Sequence, residues 1–228
     1  EALGEQLLKR EIDIASAHLE QVKAQAHAAG VACETHLVQG NAIHQEIANE
    51  AERVQADVII MGRRGRHGLA RRLLGDTTVK VIGTAKCSVL VAPRIADITG
   101  RHFVLASDGS RYADGAAVAA MNLAKFCNTP VTVVSVTRAE HSDERRREAT
   151  QIVRRTIAHL QKEGVQASGE VVHGLPNDSI VQTARKVNAD LIIMGSHGRT
   201  GLERILLGST SERVINDAPC AVLIVKAG

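Results

Sequence analysis

Short apolar runs alternate with longer amphipathic segments over most of the chain. Between residues 101 and 228 the apolar runs predict buried strands at 102–107, 130–136, 165–172, 189–195 and 220–225. The segments between them have apolar positions at helical spacing and predict helices at 111–127, at 143–163, from Pro176 onward and from about Gly208 onward. Strands that alternate with helices in this way predict an α/β fold, a doubly wound domain built on a parallel sheet.

The first hundred residues repeat the later part of this pattern. A shift of 133 residues aligns 56–92 with 189–225, and 21 of these 37 positions are identical. The periodicity here predicts helices at 4–28 and 41–55, strands at 31–38, 57–61 and 87–92, and a further helix before the last strand. The chain is therefore a tandem duplication, and we predict two domains, 1–98 and 99–228.

The first copy lacks counterparts of residues 101 to about 135, which supply the first two strands of the second copy. Those strands are expected to be central in the sheet, and a sheet without its middle is not a plausible stable domain. We therefore expect an N-terminal segment that precedes Glu1 and carries them. Strands supplied by another chain are the alternative.

Composition narrows the range of functions. Only Phe103, Tyr112 and Phe126 are aromatic among 228 residues, and the net charge is +3. Binding of single-stranded nucleic acid relies on aromatic stacking and on basic surface, so we predict no nucleic-acid partner. No membrane span or signal peptide is recognisable, and the four cysteines lack zinc-ligand spacing, which together predict a cytoplasmic protein.

A glycine-rich loop follows an equivalent predicted strand in each copy. The loops read MGSHGRTGLERILLGST at 194–210 and MGRRGRHGLARRLLGDT at 61–77. Ligands of open parallel sheets bind beyond the carboxyl ends of strands, and the start of a helix offers free N–H groups to an anion. The loops therefore predict an anion site, most simply for a nucleotide phosphate. The spacing is neither that of a P-loop nor that of a dinucleotide fingerprint, and glycines that only serve tight turns are the alternative.

The second copy resembles a known family. The pattern Gly195-x2-Gly198-x9-Gly208-Ser209, preceded by IIMG and followed by APCAVLIV, resembles the ATP-binding branch of the universal stress protein family. LASDGS, at 105–110, resembles the first strand of that family and the turn after it. The resemblance covers essentially the whole chain as two copies. It implies five-stranded parallel sheets in the order 3-2-1-4-5, with ATP, AMP or ADP at the carboxyl ends of the strands and magnesium as a companion of the phosphates.

The resemblance also implies a role for individual residues. On the adenine side these are Ala106, Ser107, Asp108 and Val136, with Asp108 near the base or the ribose. The floor of the site would be Met194 and Gly195, and the residues along the ribose and phosphates would be His197, Gly198, Arg199, Gly208, Ser209 and Thr210. The residues alone leave simpler roles open, with Asp108 as a turn residue, His197 as a solvated loop histidine and Arg199 as a surface cation.

The first copy departs from this pattern at the start of its helix. Asp76 stands where the second copy has Ser209, and an aspartate there caps the helix but repels phosphate. The same loop is basic, with arginines at Arg63, Arg64, Arg66, Arg71 and Arg72, which either compensate for Asp76, bind another anion or are merely solvated. We predict that the first copy binds ATP weakly or not at all.

These features favour a nucleotide-binding regulator of the stress response, with its ligand in the second copy and a regulatory protein as its partner. A slow ATPase or nucleotidyl-transfer enzyme is one alternative, although no catalytic base or metal triad is evident. A partner-binding scaffold without nucleotide is the other. The resemblance further implies that the last strands, SVLVAP and AVLIVK, pair within one chain as an intramolecular pseudo-dimer, and that homodimers form.

Overall fold

A computed structural model of the protein describes residues 2–63, 74–199 and 207–226. Its helices are α1 (Ala2–Ala28), α2 (Ile43–Arg53), α3 (Asp76–Thr84), α4 (Arg111–Cys127), α5 (Asp143–Lys162), α6 (Pro176–Lys186) and α7 (Ser209–Asp217). Its strands are β1 (Val58–Gly62), β2 (Ser88–Ala92), β3 (Phe103–Ala106), β4 (Val131–Thr137), β5 (Ala167–His173), β6 (Leu191–Gly195) and β7 (Ala221–Val225). The chain forms two compact units, Glu1–Ala42 and Ile43–Gly228. The predicted domain boundary at 98/99 stays a prediction.

The first unit consists of α1 and the chain that follows it. The helix predicted at 4–28 is confirmed, but the strand predicted at 31–38 is wrong, because residues 31–40 have no regular secondary structure. Its counterpart in the second copy, β5, is a strand that pairs with β4 along seven residues. The sequence has no counterpart of β4, and an extended segment without a paired neighbour does not form a stable strand.

The second unit is built on one seven-stranded sheet in the order β1-β2-β7-β6-β3-β4-β5. The second copy alone has the order β5-β4-β3-β6-β7, which confirms the predicted 3-2-1-4-5 arrangement of parallel strands. The five-stranded sheet implied for the first copy is not found among the described residues, because its two strands extend the sheet of the second copy through the pairing expected of the last strands. The join is the antiparallel pair β2–β7, in which Leu90 lies opposite Leu223.

Helices cover both faces of this sheet where the second copy forms it. On one face, the buried residues of α3, α6 and α7 form a single core with those of β2, β3, β6 and β7, so both copies contribute to it. On the other face, α4 and α5 pack on β3, β4, β6 and β7. The buried side of α4 is lined with alanine (Ala113, Ala116, Ala120 and Ala124), which lets the helix backbone lie close to the strands. Among the described residues, no helix is both long and apolar enough to cross a membrane.

The equivalent strands β1 and β6 differ in how well they are covered. All residues of β6 are buried, whereas Ile60 of β1 is 70% exposed and its counterpart Ile193 is 0% exposed. β6 lies between β3 and β7, while β1 pairs with β2 and ends the sheet. Ile193 lies in one core with the buried alanines of α4, and the sequence of the first copy has no counterpart of that helix.

Candidate functional site

The predicted site residues of the second copy lie at one edge of the sheet. β3, β4, β6 and β7 are parallel, so their carboxyl ends share this edge. β4, which follows β3 along the chain, is its neighbour on one side, and β6 is its neighbour on the other side. The direction in which successive strands are added to the sheet therefore reverses between β3 and β6. A reversal of this kind opens a crevice in which ligands of α/β proteins bind.

Three hydrogen bonds fix the ends of the loop between β6 and α7. The Ser196 N–H donates to the Val225 carbonyl at 3.0 Å, and the Gly208 N–H donates to the Ser196 carbonyl at 3.0 Å. The buried Ser211 hydroxyl donates to the Gly195 carbonyl at 3.1 Å. The start of α7 is therefore held beside the end of β6.

Asp108 connects the turn after β3 to this loop. One carboxylate oxygen accepts from the Ser110 N–H at 3.0 Å, and the other accepts from the Arg199 N–H at 3.0 Å. A Cβ atom at Gly198 would lie 2.8 Å from the second oxygen, so glycine permits this approach. Asp108 is thus both a turn residue, as its alternative role predicted, and the side chain that the loop approaches.

The Arg199 side chain is engaged by a carboxylate of another element. Both terminal nitrogens of its guanidinium donate to the carboxylate of Glu148, on α5. The Arg145 guanidinium donates to the same carboxylate at 2.8 Å. Two cations therefore share one carboxylate beside the loop, and the alternative of Arg199 as a surface cation stands, because the residue is exposed.

His197 lies against the tyrosine of the chain. The His197 and Tyr112 rings have centroids 5.3 Å apart, and the Nδ1 atom of His197 lies 3.1 Å from the Ser196 hydroxyl. A Cβ atom at Gly195 would lie 2.6 Å from the Tyr112 Cβ, so glycine is required where β6 ends against α4. Tyr112 was missed by the sequence reasoning, although it lies only two residues after the turn at 108–110.

α7 begins at this edge. Its N-cap is Gly208, and among the described residues no side chain caps the helix. The Ser209 side chain is exposed and that of Thr210 is partly exposed. The first N–H groups of a helix have no intrahelical partner and carry a partial positive charge. This end of α7 can therefore accept an anion.

The remaining predicted residues lie deeper in the sheet. Ala106, Ser107 and Met194 are buried, and Val136 is partly buried. The Ser107 N–H donates to the Val134 carbonyl at 2.9 Å and continues the β3–β4 ladder. Each lies at or just after the carboxyl end of its strand, so the structure brings all twelve predicted residues to the same edge.

The first copy reproduces the three hydrogen bonds of the loop. The Arg63 N–H donates to the Ala92 carbonyl at 2.9 Å, and the Gly75 N–H donates to the Arg63 carbonyl at 3.1 Å. The Thr78 hydroxyl donates to the Gly62 carbonyl at 3.3 Å. Each is the counterpart, 133 residues earlier, of a hydrogen bond in the second copy. The loop lies at the opposite edge of the sheet, because β1 and β2 run antiparallel to β6 and β7.

Two expectations about the first loop need correction. Asp76 does not cap α3: the N-cap is Gly75, no side chain of the described residues caps the helix, and the Asp76 carboxylate lies 2.7 Å from the Lys80 ammonium. The Arg63 guanidinium does not stay in its own loop. It donates to the carbonyls of Asn216 and Ala218, at 3.1 and 2.8 Å, at the carboxyl end of α7. Cations are favoured there because helix carbonyls carry a partial negative charge.

The other predicted cations of the first loop, Arg64, Arg66, Arg71 and Arg72, lie outside the described residues, as does Gly65. Within the described part of the chain, no group of histidine, cysteine, aspartate or glutamate side chains could hold a metal ion. A cavity of about 490 Å³ lies at the amino ends of β4 and β5, and another of about 350 Å³ lies at the amino ends of β6 and β7. Neither is lined by a predicted site residue.

The fold and its crevice define the chain as an α/β protein of the doubly wound class. The universal stress protein family model matches residues 1–93 and 100–226, and the chain therefore belongs to the universal stress protein family.

Comparison with relatives gives the extent of this similarity. The chain is 38% identical to universal stress protein MJ0531 of Methanocaldococcus jannaschii over 139 residues, and the aligned region covers 55% of this chain and 82% of that protein. It is 29% identical to universal stress protein Mb2028c of Mycobacterium bovis over 195 residues, and the aligned region covers 79% of this chain and 64% of that protein. The crystal structure of a universal stress protein from Archaeoglobus fulgidus superposes with a TM-score of 0.79 at 27% identity, over 97% of this chain and 79% of that one.

Proposed function

We propose that the second copy binds an adenine nucleotide, with ATP as its principal ligand, and that nucleotide occupancy makes the protein a regulator in the stress response. The observation that carries the proposal is the hydrogen bond from the Arg199 N–H to Asp108 at 3.0 Å. It joins the turn after β3 to the glycine loop at the point where the winding of the sheet reverses, 91 residues apart in sequence. Polar groups from separate strands thus converge beside an uncapped helix.

The residues present fit a nucleotide. The first turn of α7, with Ser209 and Thr210, offers N–H groups and hydroxyls to phosphates. Gly198 leaves the loop backbone without a side chain at this edge. The buried apolar residues at the ends of β3 and β6, Ala106 and Met194, adjoin a position for the base. The phosphates would bring any magnesium ion with them, since no described cluster of side chains offers a metal site.

We further infer that the two copies act as an intramolecular pseudo-dimer. β2 and β7, the last strands of the copies, pair in antiparallel fashion, and one core spans the join. Arg63 donates to the carbonyl of Asn216, and Lys226 donates at 3.3 Å to the carbonyl of Gly83. Asn216 and Gly83 are equivalent positions in the two copies, so each copy binds a helix end of the other.

Exchange of one residue between the loops tests the proposal. Ser209→Asp gives the second loop the residue that the first loop has at the equivalent position, and it places a carboxylate at the start of α7. ATP affinity, measured by isothermal titration calorimetry with magnesium present, is expected to fall about tenfold, as a charge repulsion of about 1.4 kcal/mol gives.

The reciprocal exchange, Asp76→Ser, is the matched control. It removes the carboxylate from the first loop, but the described first copy has no side chain equivalent to Asp108, so the number of ATP molecules bound per chain is expected to stay unchanged. Equal ATP affinity in the wild type and Ser209→Asp would contradict a phosphate position at α7. ATP hydrolysis above background in the same samples would favour an enzyme, and no nucleotide binding at all would favour a partner-binding scaffold.

A further inference from the structure

Arg199, which the proposed function assigns to the phosphates, is held on a carboxylate in the structure. Its guanidinium donates through both terminal nitrogens to Glu148, which lies 51 residues away on α5. Two parallel hydrogen bonds between arginine and carboxylate are stronger and more directional than a single one. A phosphate would compete with this carboxylate for the same donors.

The position of Glu148 is set by the packing of α5 and not by the loop. The neighbouring residues Ala149, Ile152 and Val153 are buried against the sheet, at 2, 2 and 5% exposure. Ser142 caps the helix by accepting from the Arg145 N–H at 3.2 Å. Glu148 is therefore presented from a rigid element.

The backbone of the loop does not depend on Glu148. The Arg199 N–H donates separately to Asp108, and the loop ends are fixed by the hydrogen bonds at Ser196 and Gly208. The Arg199 side chain can therefore leave Glu148 while its backbone stays in place. Glu148 would not be left unpaired, because the Arg145 guanidinium lies 2.8 Å from one of its oxygens.

We propose that Glu148 is a positioning residue that competes with the nucleotide phosphates for Arg199 and thereby lowers the affinity of the second copy for nucleotide. The inference rests on the proposed nucleotide-binding function.

Glu148→Gln tests this competition, because it removes the charge while keeping the size of the side chain. ATP affinity, measured by isothermal titration calorimetry, is expected to rise about fivefold, the range of a partly exposed ion pair. Glu144→Gln is the matched control, since Glu144 is exposed on the first turn of the same helix and carries the same charge. It is expected to change ATP affinity by less than about twofold, because isolated surface charges act weakly at physiological salt.

A double-mutant cycle separates competition from a merely structural role. In an Arg199→Ala background, Glu148→Gln is expected to give no gain in ATP affinity, because the contested side chain is absent. AMP, titrated in parallel, is expected to gain affinity as well in Glu148→Gln.

The outcomes distinguish the two proposals. Wild-type binding of ATP with an unchanged or lower affinity in Glu148→Gln would overturn the competition and leave the proposed function standing. A gain that persists in the Arg199→Ala background would also overturn it. Absence of ATP binding in the wild type, Glu148→Gln and Glu144→Gln together would overturn both.

Discussion

The two glycine loops share a backbone framework but not its surroundings. Each begins at a strand end and leads into a helix, and each is fixed by the same three hydrogen bonds at equivalent positions. In the second copy, Asp108 of the β3 turn and Glu148 of α5 both contact the loop at Arg199. In the first copy, Arg63 turns away to the end of α7 and Asp76 pairs with Lys80.

The difference shows that the same anchoring of the loop ends does not by itself make a ligand site. This anchoring tolerates the exchange of Ser196 for Arg63, because the bonds at that position use backbone N–H and carbonyl groups, and of Ser209 for Asp76, because neither residue takes part in the three bonds. The chemistry that a ligand would meet comes from β3, α4 and α5, which belong to the second copy. The loops also lie at opposite edges of the sheet, so neither can complete the site of the other.

The largest effect is expected where the second loop meets α4. Gly195→Ala would place a Cβ atom 2.6 Å from the Tyr112 Cβ and 2.8 Å from its backbone carbon, so α4 must shift. The free energy of unfolding is expected to fall by about 2–3 kcal/mol, the cost of overpacking a closed contact. Urea denaturation followed by circular dichroism measures it.

Gly115→Ala is the control for that substitution. Its nearest contact would be 3.5 Å, to the Lys226 carbonyl oxygen, and Gly115 lies within α4, so alanine is expected to be neutral or to add about 0.5–1 kcal/mol. If the two variants were equally stable, Gly195 would not be needed for packing, and the glycine would have to be explained by the ligand alone.

A smaller effect is expected at the segment that joins the two copies. Asp190 is 2% exposed and accepts hydrogen bonds from the N–H groups of Thr99, Arg101 and His102, at 2.8, 3.0 and 3.4 Å. Asp190→Asn replaces an acceptor by an amide that also donates, and is expected to lower the free energy of unfolding by about 2 kcal/mol. The equivalent Asp57 is exposed, so Asp57→Asn is expected to stay within about 0.5 kcal/mol of the wild type in the same urea experiment.

The difference in the free energy of unfolding between wild type and Asp190→Asn is expected to change with pH in a defined direction. Burial alone would raise the pKa of Asp190, but the hydrogen bonds from Arg101, Thr99 and His102 outweigh it and hold the pKa below its usual value. A carboxylate with a lowered pKa stabilises the fold above its unfolded pKa of about 4 and loses this contribution as the pH falls further. The stability gap between wild type and Asp190→Asn is therefore expected to be constant from pH 7 to 5 and to narrow below pH 4. A gap that widens on acidification would contradict the role of the carboxylate.

The smallest effect is expected from a hydroxyl at equivalent positions of the two helices. Thr210 and Thr77 are the second residues of α7 and α3, and both are partly exposed. Thr210→Ala is expected to weaken ATP binding about fivefold by removal of one hydrogen bond of about 1 kcal/mol, whereas Thr77→Ala is expected to leave it unchanged. Fluorescence anisotropy of a labelled ATP analogue measures both. Equal losses in the two variants would show that the copies share the function.

The sequence predicted what depends on local pattern. Apolar runs and helical spacing predicted every strand of the second copy, and the repeat predicted the equivalent loops. The strand expected at 31–38 failed because strand formation depends on a neighbour that pattern does not report. Arg63 was assigned to its own loop because the end of α7 is 153 residues away. Tyr112, Glu148 and Asp190 were missed for the same reason, since each acts through a contact with a distant part of the chain.

The most direct test of the account is a count of the ATP molecules bound per chain. Equilibrium dialysis of the wild-type protein against labelled ATP with magnesium, at saturating ligand, gives this number without an assumption about heat or fluorescence. One ATP molecule per chain is expected, bound in the second copy. Two ATP molecules per chain would show that the glycine loop alone suffices for binding and would contradict this expectation. Absence of bound ATP would also contradict it, because the nucleotide would then have no part in the function of this chain.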